Sequence, residues 1–250
     1  MARKALEEEQ TEGSLARIVR GRLSLLKRQV SLRVLYARSL LRSKLSHKPV
    51  VYVIGDSHTG IFLKRKPFVV FWLGPATAHN LGMRRSTTNS NKKLRAVLDS
   101  LVTPRDKVLM VFGEVDCRIH IYNQYVTNRE RLSIEDVIGV TVEKYGEVLR
   151  EIEGRGLDLY VASVPPGGKE GNVFGVPNYP PPDMRRVINR IFNEELAAFC
   201  RLYGLKFIDV YSTVVDADGF IKPEYSYADG THLNTAAVRF FEEGLGLGAG

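Results

Sequence analysis

Long apolar runs are missing from this chain. It has no stretch of about 20 apolar residues with which to span a bilayer. In the first 48 residues charges interrupt every apolar run, which excludes the uninterrupted core of a secretory signal. Cysteine is scarce too: Cys117 and Cys200 are the whole supply, too few for a disulfide framework. Cys117 reads either as a small buried filler or as a reactive thiol. These absences make the cytoplasm the expected location, with its membrane face as the alternative.

Acidic residues are short only at one end. Residues 1 to 48 hold 12 Lys and Arg against 4 Asp and Glu, whereas residues 49 to 250 hold 24 of each, so the whole net charge of +8 sits in the first fifth. From Ser14 to Leu45 there is no proline and only Gly21. Leu15, Ile18, Val19, Leu23, Leu26, Val30, Val34 and Leu41 recur at spacings near three and four. This predicts a basic amphipathic helical extension over residues 1–48. Such a helix can pack its stripe on the domain, lie on an anionic membrane surface or dock on a protein partner. Nucleic acid is not expected, because the basic residues are not interleaved with stacking aromatics.

Residues 49–250 are enough for one α/β domain with a substantial core. No internal repeat is present. Apolar, mostly β-branched runs at 49–54, 68–73, 107–112, 157–162 and 206–209 read as strands buried on both faces. Helical patterns at 133–152, 184–203 and 234–245 alternate with the later ones. The expected fold is therefore α/β: a three-layer α/β/α sandwich around a mainly parallel five-stranded sheet, flavodoxin-like in plan. A loop rich in Gly, Pro, Asn and Tyr from Pro165 to Pro182 either walls a cleft or is a passive insertion. The glycine-rich end from Gly244 is expected to fray.

Two short motifs carry the chemistry. Gly55-Asp56-Ser57-His58 follows the first strand directly, and Asp229-Gly230-Thr231-His232 lies near the C-terminus. In an open parallel sheet ligands bind beyond the carboxyl ends of the strands, which is where Ser57 falls. The bland reading makes Ser57 a helix cap and the second motif a tight turn entering the last helix. The chemical reading joins them. Asp229, three residues before His232, can fix one imidazole nitrogen and leave the other to take a proton from a serine.

On these residues the chain resembles the SGNH/GDSL hydrolase superfamily, over about residues 50 to 235. The resemblance implies Ser57 as nucleophile, His232 as base and Asp229 as orienting acid. It further implies an oxyanion hole drawing on the backbone N–H groups of Ser57 and Gly74, the glycine after the second strand. The third block departs from the pattern. Where the family commonly has Gly-x-Asn-Asp, this chain has Gly113-Glu114-Val115-Asp116-Cys117-Arg118, and Val115 cannot donate a hydrogen bond from its side chain. Arg118 and Asn80 are the candidates to replace the missing donor. Asp56, Glu114 and Asp116 join them as possible substrate or oxyanion contacts, although Glu114, Asp116 and Arg118 could equally form a structural ion pair. His120 reads as packed or exposed rather than catalytic. Trp72, Arg118 and Tyr179 are unranked candidates for specificity.

The resemblance implies a serine esterase or acylhydrolase acting on an O-acyl ester, such as an acylated carbohydrate or another small molecule, without cofactor or metal. An O-acyltransferase would use the same residues. A second resemblance, to calcineurin-like metallophosphoesterases, would make Asp56, His58, Asp116 and His232 metal ligands, but the Gly-Asn-His element of that family and its later histidines are missing. A non-catalytic binding module is the remaining alternative.

Overall fold

The computed structural model describes residues 50–100, 102–128, 131–169 and 178–247. The basic helix expected within residues 1–48 lies outside them. Among the described residues no helix is long and apolar enough to cross a membrane.

Five strands form one sheet: β1 (Val51–Gly55), β2 (Phe68–Trp72), β3 (Lys107–Val111), β4 (Asp158–Ala162) and β5 (Lys206–Ile208), in the order β2-β1-β3-β4-β5. Every pairing is parallel, so "mainly parallel" becomes wholly parallel. The runs of Val, Ile, Leu and Phe are continuous because both faces are covered. Val51, Val53, Leu109, Val111, Tyr160, Ala162 and Ile208 face one core with the 3-10 turn Ser57–Phe62 and the final helix. Tyr52, Ile54, Val108, Met110, Leu159 and Val161 alternate to the opposite face and are equally buried.

The helices are α1 (Ser90–Ser100), α2 (Ile121–Thr127), α3 (Ile134–Glu153), α4 (Pro182–Leu202), the single turn α5 (Tyr211–Val214) and α6 (Val238–Gly244). The first long one, α3, starts where it does because Ser133 and Asp136 form a reciprocal capping box. Its residues Ile134, Val137, Ile138, Val142, Tyr145, Leu149 and Ile152 are buried at the spacing of one helical face. It packs on α4, which begins with Pro182 and buries Ile188, Phe192, Leu196 and Cys200. The start of the glycine-rich segment departs from expectation. Instead of fraying, residues 244–247 close α6 against the sheet, where a side chain on Gly244 would stand 2.6 Å from Ile208, and Leu245 is buried in the core; residues 248–250 lie outside the described ones. Two leucines in the glycine-rich segment, Leu245 and Leu247, hold it there.

The carboxyl end of β4 is pinned by side chains. Asn193 of α4 accepts from the Val164 N–H at 2.7 Å and donates to the Val164 carbonyl at 2.8 Å, satisfying both backbone groups just beyond the strand. Asn189, one turn earlier, donates to the Pro165 carbonyl at 2.7 Å. On the other side Ser163 Oγ accepts from the N–H groups of Val210 and Tyr211, both at 2.8 Å. Replacing Asn193 with alanine strands two buried backbone groups. We expect the variant to lose about 2–4 kcal/mol of stability, measured as a lower urea midpoint with an unchanged slope.

Candidate active site

Ser57 owes its position to the end of β1. Gly55 is wedged between neighbours: a Cβ there would lie 2.0 Å from the Val111 carbonyl oxygen. Only glycine permits that approach. The Gly55 carbonyl then accepts from Leu73 N–H at 2.9 Å, and Asp56 N–H donates to the Val111 carbonyl at 3.1 Å, so both neighbouring strands grip the turn. Asp56 caps the following 3-10 turn by accepting from His58 N–H at 2.9 Å, which makes Ser57 its first residue. The capping role considered for Ser57 therefore belongs to Asp56.

The second motif folds back onto this turn. Tyr227 N–H donates to the His232 carbonyl at 2.9 Å, and Gly168 N–H to the Gly230 carbonyl at 2.8 Å. Asp229 Oδ1 accepts from the N–H groups of Thr231 at 2.9 Å and His232 at 3.0 Å, while Oδ2 stands 2.7 Å from His232 Nδ1. Burial alone would raise the Asp229 pKa. The backbone donors of His232 and Thr231, with the imidazole, outweigh it and hold the carboxyl at about 2. An ionised carboxylate only accepts, so Nδ1 carries the ring proton and Nε2 presents its lone pair. Nε2 lies 2.8 Å from Ser57 Oγ, across 175 residues of sequence.

The backbone donors expected of the oxyanion hole sit at the ends of β1 and β2, where Leu73 N–H, just before Gly74, is bonded to the Gly55 carbonyl. Gly74, at φ +99°, follows β2 in a conformation that favours glycine. Among the described residues, nothing accepts from the N–H of Ser57 or of Gly74. Val115 offers no third donor. The Asn80 amide donates one hydrogen to Thr77 Oγ1 at 2.9 Å, which leaves its second N–H. Arg118 is held by Glu114, its Nε donating to Oε1 at 2.5 Å.

Two expected contact residues are structural instead. Asp56 is 1% exposed and serves as the cap. Asp116 is fully buried and accepts from the N–H groups of Ala78 at 2.6 Å and His79 at 3.2 Å, fixing the loop after β2. Burial drives the Asp116 pKa up to about 7 against those hydrogen bonds. His120 is half-buried with its ring on His79 at 4.7 Å. Cys117 is buried, and burial raises its thiol well above the ordinary range, which makes it the inert filler of the two readings.

His58 is the neighbour that the sequence did not single out for this role. It is buried, stacks on the His232 ring at 4.8 Å, and its Nε2 donates to the Thr231 carbonyl at 3.1 Å. Burial would lower its pKa, but the Asp56 carboxylate at 3.4 Å from Nδ1, Glu114 and the Thr231 carbonyl carry it up to about 9. Asp56, His58 and Glu114 bring ligand-type atoms within 4.8 Å of one another, and among the described residues Asp56 Oδ2, His58 Nδ1 and Glu114 Oε2 have no hydrogen-bond partner. These three could enclose a small cation. They differ from the metallophosphoesterase set, since Asp116 and His232 are engaged elsewhere. With His58 protonated, Asp56, His58, Glu114 and Arg118 already sum to zero charge, so the site needs no ion for neutrality.

The fold has known counterparts. No family model and no curated protein matches the chain, but solved structures do. A candidate acylhydrolase from Bacteroides fragilis superposes with a TM-score of 0.55 at 16% identity, covering 84% of this chain and 93% of its own. A GDSL-like lipase from Bacteroides thetaiotaomicron gives 0.53 at 16% identity, covering 84% and 95%. This chain has the SGNH/GDSL hydrolase fold. A third, a candidate platelet activating factor from Streptococcus pneumonia, gives 0.50 at 17% identity, covering 90% and 96%. At these identities the likeness carries the fold and leaves the chemistry to the residues.

The charge state of His58 has a measurable consequence. Its native pKa of about 9 exceeds the ordinary 6.5, so the native state keeps a proton that the unfolded chain releases. The stabilisation is complete below pH 6.5 and is lost as the pH rises through 9. Over pH 7 to 10 the wild type is expected to lose about 3 kcal/mol more stability than His58→Gln, from urea unfolding at each pH. Parallel profiles would show that His58 is neutral in the native state.

Proposed function

We propose that the protein is a serine esterase that cleaves O-acyl esters through Ser57, His232 and Asp229. The observation that carries this reading is the 2.8 Å contact between Ser57 Oγ and His232 Nε2, with Asp229 at 2.7 Å from the other ring nitrogen. That geometry suits proton transfer from the hydroxyl to the imidazole as the oxygen attacks an ester carbonyl. Asp229 keeps Nδ1 as the donor and stabilises the imidazolium that forms. The N–H groups of Ser57 and Gly74 receive the oxyanion of the tetrahedral intermediate. His232 then returns its proton to the leaving alcohol. Water attacks the resulting acyl-serine, with His232 again as base, and releases the acid.

His58 supports this arrangement from behind. Its ring restricts His232 to one plane, and its bond to the Thr231 carbonyl ties the motif to the first turn. A cleft that reaches Thr231, the residue before His232, is lined by Glu114, Arg118, Arg185, Asn189, Pro165, Pro166, Gly167 and Gly230. Its enclosed space is about 10 Å³, room for one water-sized group, and its charged and amide side chains offer hydrogen bonds to a hydrophilic alcohol such as a sugar rather than to a lipid chain.

A fluorophosphonate probe is expected to label wild-type protein at Ser57 alone, as read by peptide mapping. Hydrolysis of a short-chain aryl acetate should vanish in Ser57→Ala and fall by about 10³–10⁴ in kcat for Asp229→Asn, which loses the required tautomer. A chelator should leave the wild-type rate unchanged. Labelling at another residue would sink the assignment, and chelator sensitivity would move it to the Asp56, His58 and Glu114 cluster.

A further inference from the structure

Among the described residues, the cleft beside Thr231 is lined by a charge without a counter-charge. Arg185 sits in the first turns of α4 and is only 5% exposed. Its Nη1 donates to the Tyr179 hydroxyl at 2.9 Å and its Nη2 to the Gly168 carbonyl at 3.3 Å. Its guanidinium also stacks near the Tyr179 ring, 5.2 Å from the centroid. All of these partners are neutral. Among the described residues no carboxylate pairs with Arg185, and its Nε, fully buried, has no hydrogen-bond partner at all. A guanidinium stays protonated under any condition a folded protein survives. Burying one without a counter-ion is costly, and such charges are ordinarily paired.

The surroundings indicate what would pair with it. Arg185 and Arg118 both line the cleft, along with Asn189. The one acid there, Glu114, is already bonded to Arg118. The lining therefore carries one net positive charge. The cleft is also tied to the reacting atoms: Gly168, whose carbonyl Arg185 grips, donates to Gly230, and Thr231, also in the lining, immediately precedes His232.

We propose that this cleft is an anion subsite in which Arg185, assisted by Arg118, receives a small oxyanion group carried by the substrate. The preferred ester then has a carboxylate or phosphoryl group on its acyl or alcohol part. The identity of that ligand as substrate rests on the esterase reading, whereas the subsite itself rests on Arg185. Tyr179 orients the guanidinium, and the planar fork suits two parallel hydrogen bonds to either oxyanion.

The test separates the two claims by using the Ser57→Ala protein, which cannot turn over an ester. Acetate and inorganic phosphate are titrated into it by calorimetry and followed by thermal unfolding. At least one is expected to bind in the millimolar range and raise Tm. Acetate binding alone identifies a carboxylate, and phosphate binding alone a phosphoryl group. Adding Arg185→Gln should weaken binding by about tenfold or more, the loss expected of a charge-assisted pair, with Arg185→Lys intermediate. Arg118→Gln provides a second variant should Arg185→Gln fail to fold, and should weaken the same anion severalfold. Silence from both anions at tens of millimolar, or equal affinity in folded Arg185→Gln, overturns the subsite. Either result leaves the serine mechanism standing, and an inert wild-type enzyme would leave the subsite standing.

Discussion

The absence of a side chain at Gly55 is the constraint on which the site depends. With a Cβ position only 2.0 Å from the Val111 carbonyl oxygen, any other residue would push β1 away from β3 just where the chain must leave the sheet. Because the strands stay in contact, Asp56 N–H reaches Val111 and the Asp56 carboxylate turns inward to cap the 3-10 turn. Ser57 then emerges at the carboxyl edge with its hydroxyl toward the C-terminal motif. The sheet order makes this edge useful. The chain runs from β1 to β2 on one side and returns to β3 on the other, which opens a crevice beside β1 for a ligand.

Two groups of buried charge flank this point and are balanced differently. Asp56, His58, Glu114 and Arg118 form a set that neutralises itself when His58 is protonated. Such a set can stay dry and rigid, which suits a surface against which His232 must hold one orientation. Arg185 has no such partner among the described residues. The contrast is informative because Glu114 and Arg118 line the same cleft as Arg185, and Arg185 at 5% exposed is as buried as Glu114 at 6%, so exposure to solvent does not explain the difference.

Much of this was legible in the residues alone. The five strands announced themselves as β-branched runs, and the structure moves their limits by only one or two residues. The Asp229 to His232 spacing was readable because a three-residue separation in a turn brings a short carboxylate onto a ring nitrogen. Tertiary context decided the rest. Asp56 and Asp116 looked like substrate contacts because they flank the motifs, but a buried carboxylate beside a turn is more readily occupied by backbone N–H groups. Arg185, Asn189 and Asn193 drew no notice because polar residues on a helix usually face water. Their spacing of four, alongside Ile188, Phe192 and Leu196, was the available signal: a polar stripe adjoining the apolar one, facing the ends of the strands. His58 was hidden in the same way, since nothing in Gly55-Asp56-Ser57-His58 says which side of the turn is buried.

The valine in the third block bears on how the two halves of the site cooperate. Removing one oxyanion donor from an acyl-transfer site costs roughly 3–4 kcal/mol of transition-state stabilisation. A buried charge-assisted pair far from the reacting carbonyl contributes about 1.5–3 kcal/mol, and part of that energy can be used to hold the ester where Ser57 attacks it. An enzyme with Val115 and an unpaired Arg185 would therefore be slow on simple esters and faster on those that fill the subsite. On this account the missing amide and the unmatched guanidinium belong to one arrangement, in which selectivity for a charged substrate replaces some of the general acyl-transfer power of a third donor.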